Sequence, residues 1–332
     1  MLKQHVVVIA FGALLGCAPE ANMYIDIAPA VRTQPVANDP DDPAIWIHPA
    51  DGARSLVIGT NKVKAPDGAV VVFGLDGAIR QTIAGLDRPN NVDVEDDLAV
   101  VTERLENQLR VFRIRPDGSG IDDVTSPGKT LVVTEPMGVS IYKRPGDGAL
   151  FAIVAPKTGS RSDYLAQYRL QKDEKGLVGA TLVRRFGTFS GAGEIEAVAV
   201  DDALGYVYYA DEGNGIHKYH ADPEHKDAAR EVAHFGTSGF KSDREGIAIY
   251  ARPDGTGYVV CTDQIEGGSE YRVYSRDGEH KLVKILRRGA DSTDGLEITS
   301  RPVGPGFPNG LMVAMNSKDR NFLIYKWPES LR

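Results

Sequence analysis

DDPAIW at Asp41–Trp46, LVIGTNK at Leu56–Lys62 and VVVF at Val70–Phe73 are three short apolar runs separated by turn-forming residues, the first of them opened by acids. The same order returns along the whole chain. NNVDV at Asn90, EPMGV at Glu135, EIEAVAV at Glu194, DREGIAI at Asp243 and STDGLEI at Ser292 each open on an acid, an amide or a hydroxyl. The second runs are LAVVTER from Leu98, LFAIVAPK from Leu150, YVYYADE from Tyr206, YVVCTDQ from Tyr258 and LMVAMN from Leu311. A third run with an aromatic near its end follows each: LRVF, LAQY, IHKY, YRVY and FLIY. The period is roughly 45–55 residues, in the range of propeller blades.

Each run reads as a strand. β-branched and aromatic residues dominate, and turns such as LDGA at Leu75, RPDG at Arg115 and Arg252, and SRDG at Ser275 bound them. With 36 Gly and 19 Pro, no long segment keeps the 3.6-residue apolar period of a helix. The repeat predicts an all-β chain, a six-bladed β-propeller spanning residues 39–332.

A propeller gathers the start of every innermost strand around one channel. The openers are therefore expected to bring Asp42, Asn91, Glu135, Glu196, Glu245 and Asp294 into one ring, with Asp39, Asp41, Asp93, Glu194, Asp211, Glu212, Asp243, Asp263 and Asp291 close by. Carboxylates crowded in this way raise one another's pKa unless a cation lies between them. Hard oxygen donors, with amides such as Gln264, Asn91 and Asn316 among them, suit several Ca²⁺ ions. Zinc is disfavoured there, because the 7 His are scattered and none shows a two-His or Cys-His spacing.

Basic residues close the second run in three successive repeats: Lys62, Arg104 and Lys157. The later repeats carry Glu212, Gln264 and Asn316 there, so one side of the mouth is basic and the other acidic or amide. Arg offers a planar fork matched to phosphate and Lys a compact charge. Arg104 is expected to stand exposed on the rim. G-x-S-x-G, Walker and H-E-x-x-H patterns are absent from the sequence, and GAGE at Gly191 reads as a turn, so hydrolysis here calls for a metal-activated water.

A formal net charge of −8 argues against nucleic acid as a partner. Residues 1–17 read as an export signal: Lys3, a mostly apolar stretch from Val6 to Leu15, then Leu14-Leu15-Gly16-Cys17, which suggests lipoprotein processing with lipid on Cys17. The chain is then expected to be exported, periplasmic, secreted or held to a membrane only through that lipid. Residues 18–38 read as a tether ending in a strand that completes the last blade. Cys261 lies within an apolar run and reads as a buried inert thiol. A monomer is expected.

At DDPAIW, TNK at Thr60, NNVD at Asn90, Arg104, EGIAIY at Glu245, TDG at Thr293 and NFLIYKW at Asn321, the sequence resembles the β-propeller phytases. These are six-bladed calcium-dependent enzymes that remove phosphates from myo-inositol hexakisphosphate. The likeness runs from about Asp39 to Trp327. It implies that Lys62, Arg104 and Lys157 grip substrate phosphates. It also implies that Asp42, Glu196, Glu212, Asp243, Glu245 and Gln264 hold calcium or orient water, with Asp41 and Asp294 as further ligands and Glu196, Asp243 and Glu245 as the catalytic acids. The chain departs from the family pattern at Val63, where a second Lys often stands, at Met137 for a Tyr, at Arg288 for an acid and at Arg244 for an apolar residue. Two alternatives remain at this level: a propeller lactonase or esterase using one central calcium, and a non-catalytic surface propeller that binds a partner through its rim. Neither needs three basic residues in phase.

Overall fold

A computed structural model describes residues 23–332; residues 1–22, with the export signal and Cys17, lie outside the described residues. The chain forms six sheets arranged as the blades of a β-propeller. Each blade is a meander in which the strand nearest the channel comes first. These innermost strands are Pro40–Trp46, Pro89–Glu95, Pro136–Lys143, Val198–Asp201, Arg244–Ala251 and Leu296–Thr299.

Alternation along the strands buries side chains between blades. Ala44, Ile58 and Val70 of the first blade pack on Ala99, Val101 and Phe112 of the second. Equivalent clusters fill the following interfaces, through to the one where Val57 and Val71 of the first blade meet Val313 and Phe322 of the sixth. Full burial of one such large apolar side chain contributes about 1.5–3 kcal/mol. Cys261 lies in one of these clusters, fully buried, and burial pushes its thiol up, which keeps it protonated and inert.

The ring closes through its beginning. Val31–Arg32 pairs antiparallel with the third strand of the sixth blade, Val31 opposite Ile324, and so supplies that blade's fourth strand. Thr33 continues the seam, its Oγ1 accepting from the Phe322 amide at 3.0 Å and its carbonyl accepting from Asn321 Nδ2 at 3.1 Å. Just before it, Tyr24–Asp26 adds in parallel to the fifth blade opposite Ile285–Arg287. Joining both neighbours in this way removes an exposed sheet edge.

Candidate active site at the channel mouth

One backbone bond recurs in every blade and sets the register of the mouth. The amides of Lys62, Arg104, Lys157, Glu212, Gln264 and Ser317 donate to the carbonyls of Asp39, Arg88, Glu135, Glu194, Asp243 and Asp291. The basic trio therefore occupies equivalent places in the first three blades. The sixth blade presents Ser317 there; Asn316, expected at this position, lies one residue earlier.

A β-bulge follows at once. Register shifts between Pro40 and Pro43, Pro89 and Val92, Pro136 and Val139, and Arg244 and Ile247 put two residues opposite one. Thr60 and Thr102 stand opposite two of the bulges. Their hydroxyls donate 2.7 Å bonds to the Asn90 and Met137 carbonyls of the next blade. The strand pairings then level Asp41 with Asn90, Met137, Glu196, Glu245 and Asp294. Three members of the expected ring, Glu196, Glu245 and Asp294, hold this position. Asp42 and Asn91 sit one residue deeper and Glu135 two residues shallower, because the bulge adds a residue that even alternation does not count.

Asp42 uses its position differently from Asp41. Its Oδ2 accepts the Val92 amide of the next blade at 3.0 Å, and a Cβ on Gly295 would collide with it. Asp42 keeps one oxygen free of that bond, whereas Asp211 and Asp263 leave the candidate ligand set. Both are fully buried and accept backbone N–H groups of the incoming loops, Ser190 for one and Lys241 and Ser242 for the other. Asn61 and Asn316 do the same with Asp39 and Asp291. These are end-of-strand caps.

The remaining candidates converge. Lys62 is ion-paired with Asp41 and lies 3.5 Å from Asp294, whose other oxygen accepts from Gln264. Lys157 pairs with Glu194. Carboxylate oxygens of Glu212, Asp243 and Glu245 all lie within 4.8 Å of one another. Asn90, fully buried, reaches Glu196 Oε2 at 3.5 Å. Arg104 is 6 % exposed, which corrects the expected rim position; its Nε has no hydrogen-bond partner and stands 3.4 Å from Glu135 Oε1.

Burial is the main perturbation of the acids, and their neighbours add to it. Asp41 is pushed up to about 7 by burial and Asp294 despite Lys62. Glu196 is raised to about 7 by burial and Asp41, and Glu212 to about 7 by burial, Glu196 and Asp243. Glu245 is held well above the carboxylate range by burial and by Glu196, Glu212 and Asp294. Burial works against the Lys62 ammonium, but Asp41, Glu196 and Asp294 more than offset it and hold its pKa high.

Several residues have roles that the sequence reading did not assign. Arg244, buried where an apolar residue was expected, donates to the carbonyls of Gly236 and Glu212 and fixes the backbone that carries the Glu212 carboxylate. Below the mouth the channel encloses a cavity of about 190 Å³ lined by Asp42, Asp93, Glu95, Asp202 and Glu297. Asp93 accepts from Ser140 Oγ at 2.8 Å and the Ile141 amide at 2.6 Å, while Asp202 accepts the Lys143 amide at 2.8 Å, so these acids tie adjacent blades together. Asp93 and Glu95 rise to about 6, and Asp202 and Glu297 to about 8, burial first in each case. Two-residue alternation in NNVDVE was the available signal. Of the departures, Met137 is fully buried and Arg288 turns outward to Asp26 Oδ2 at 3.0 Å.

These shifts carry a stability consequence. Acids titrating near 6–8 when folded and near 4 when unfolded bind more protons in the native state across that window, so stability falls as pH rises through it. Buried His217 and His280 and half-buried His220, lowered by desolvation, act in the opposite sense but are outnumbered. Metal-free protein is expected to melt at progressively lower temperature from about pH 5 to 8, and millimolar calcium to lessen that decline by binding the ionised acids of the mouth. Thermal melts across this range with chelator or with calcium check it; identical curves contradict it.

The architecture is a six-bladed propeller whose mouth carries bases in the first three blades and a cluster of acids across the fourth and fifth. Residues 3–327 match the Phytase family, and the chain belongs to it. It is an enzyme of that family, a phosphoric monoester hydrolase. A 3-phytase of Bacillus subtilis (strain 168) is 28% identical over 337 residues, covering 92% of this chain and 85% of that protein. Among solved structures, the WD40 β-propeller domain of Doa1 superposes with a TM-score of 0.51 at 14% identity, covering 86% of this chain and 79% of the other, a likeness of fold alone.

Proposed function

We propose that the enzyme releases phosphate from myo-inositol hexakisphosphate with the help of several calcium ions at the channel mouth. The observation that carries this reading is the phase of the mouth: Lys62, Arg104 and Lys157 hold the equivalent place in three blades, and Glu212, Asp243 and Glu245 cluster across the next two. Membership of the phytase family and the 3-phytase relative support the substrate.

The donors fit calcium. They are all oxygens, and Asp41 Oδ2 and Asn90 Oδ1 are buried without hydrogen-bond partners, while Asp41 Oδ1 faces Lys62. Asp41, Asp42, Glu196, Glu212, Asp243, Glu245, Gln264 and Asp294 would hold it, Asp42 through its oxygen not committed to Val92. Calcium bound there supplies neutralisation of phosphate charge and a lowered pKa for water. Arg104 offers a buried guanidinium fork to one phosphate, and Lys62 and Lys157 offer point charges to its neighbours. Glu196, Asp243 and Glu245 orient the attacking water and take up its proton. Arg244 holds the Glu212 backbone while they do so. The proposed place of action is outside the cytoplasm, supported by the signal-like residues 1–17 and a lipid-accepting Cys17.

With Asp41, Glu196 and Glu212 near 7 in the absence of metal, protons and calcium compete for the same oxygens. The pH–rate profile is expected to peak at neutral to slightly alkaline pH, its acid limb moving to lower pH as calcium is raised. Profiles at two calcium concentrations test this. An acid optimum, or an acid limb indifferent to calcium, overturns the reading.

A further inference from the structure

Antiparallel pairing on the fourth blade creates a constellation invisible in the spacing of the histidines. His217 on the third strand, Gly215–His220, lies directly opposite His234 on the outermost strand, Ala233–Phe235. Their rings stack with centroids 4.3 Å apart at 10°. Glu231, on the approach to the outer strand, sets its Oε2 at 2.7 Å from His217 Nδ1. Ligand atoms of all three residues lie within 4.8 Å of one another.

The support around them is built. His217 is 3 % exposed and rests on the face of Tyr209, centroids 4.8 Å apart. The Tyr219 hydroxyl faces Glu231 Oε2 at 3.4 Å. Gly215, at φ +137, leaves room for His234, since a Cβ there would stand 2.9 Å from His234 Nε2. His234 is exposed and Glu231 half-buried, and together they provide the entry path. His217 Nε2 is buried with no hydrogen-bond partner and faces Asp211 Oδ2 at 3.9 Å.

We propose that His217, Glu231 and His234 form a zinc-type transition-metal site on the outer half of the fourth blade, separate from the oxygen-only site at the channel mouth. Two imidazoles and one carboxylate, with a solvent-facing fourth position, match the donor set of Zn²⁺. Zinc takes nitrogen ligands at about 2.0–2.1 Å in the plane of each ring, so the exposed His234 must turn out of its stack on His217 to aim a nitrogen at the ion, with Glu231 closing on it. Binding replaces the hydrogen bond between His217 Nδ1 and Glu231. The Nδ1 proton of the neutral ring passes to Nε2, on the side of the ring where the Asp211 carboxylate stands 3.9 Å away. Burial lowers the His217 pKa and keeps the ring neutral and ready to ligate. The ion would pin the segment between the third and outer strands to the blade.

The test uses the full chain without a histidine tag, freed of metals and then saturated with calcium to fill the oxygen sites. Co²⁺ serves as a spectroscopic probe, with Zn²⁺ competing against it. One equivalent of Co²⁺ is expected to give the visible bands of a nitrogen-ligated ion, displaced stoichiometrically by zinc. Zinc is also expected to raise the melting temperature with calcium already saturating. His234→Ala, an exposed substitution, should melt as wild type without zinc, bind Co²⁺ at least tenfold more weakly, and lose the zinc-induced rise while releasing phosphate normally. Absence of Co²⁺ binding under calcium saturation overturns the proposal. Binding of undiminished affinity in His234→Ala overturns it equally.

Discussion

Arg104→Ala is expected to lower kcat/KM for phytate by about thirtyfold to a thousandfold, the loss of roughly 2–4 kcal/mol of charge-assisted contact at a desolvated phosphate. The size follows from its surroundings. All three bases are ion-paired, but Lys62 and Lys157 hold Asp41 and Glu194 in short contacts, whereas Arg104 meets the more exposed Glu135 at 3.4 Å through an Nε with no hydrogen-bond partner. It is thus the basic group of the trio with the least internal competition for a phosphate. Its burial also changes the stability side of the prediction. An exposed residue truncates at almost no cost, but a side chain that is 6 % exposed leaves a gap, so the melting temperature should fall by a few degrees. Arg104→Lys keeps the charge, loses the planar fork and should fall between the two in activity. Steady-state kinetics on folded protein decide it. Normal turnover by an Arg104→Ala enzyme that melts close to wild type contradicts the assigned role.

Much of the fold was legible because strand, turn and strand recur with one period and the apolar runs end in phase. Lys62, Arg104 and Lys157 could be aligned from sequence for the same reason: each closes a second strand, and that strand is regular. The acids were harder. They sit at bulges, where two residues oppose one, so counting by alternation placed Asp42 and Asn91 where the structure has Asp41 and Asn90. In the sixth blade the second run keeps the spacing of the first, so Asn316 is level with Asn61 and Ser317, one residue on, takes the rim position. Asp211 and Asp263 resemble ligands in sequence because an acid that caps a loop and an acid that binds metal are the same residue type. Only their backbone hydrogen bonds distinguish them. Arg244 was hidden for a related reason: a cation among acids reads as a lost contact until its guanidinium is seen carrying the carbonyls of the neighbouring blade.

Removal of calcium is expected to abolish phosphate release altogether. The chain carries a formal net charge of −8 and gathers its acids where a polyanion must dock. Without intervening cations, like charge opposes both encounter and binding. Buried acids held near 7 would also retain protons that the ionised site must give up, leaving fewer groups to orient water. Calcium bound at the mouth would reverse both effects, and Lys62, Arg104 and Lys157 alone cannot, since all three are already paired with acids. The direct measurement is phosphate release from phytate by exhaustively chelated enzyme, repeated after calcium alone is restored. The account predicts no release in the first assay and full recovery in the second. Undiminished release by the chelated, folded enzyme would contradict it.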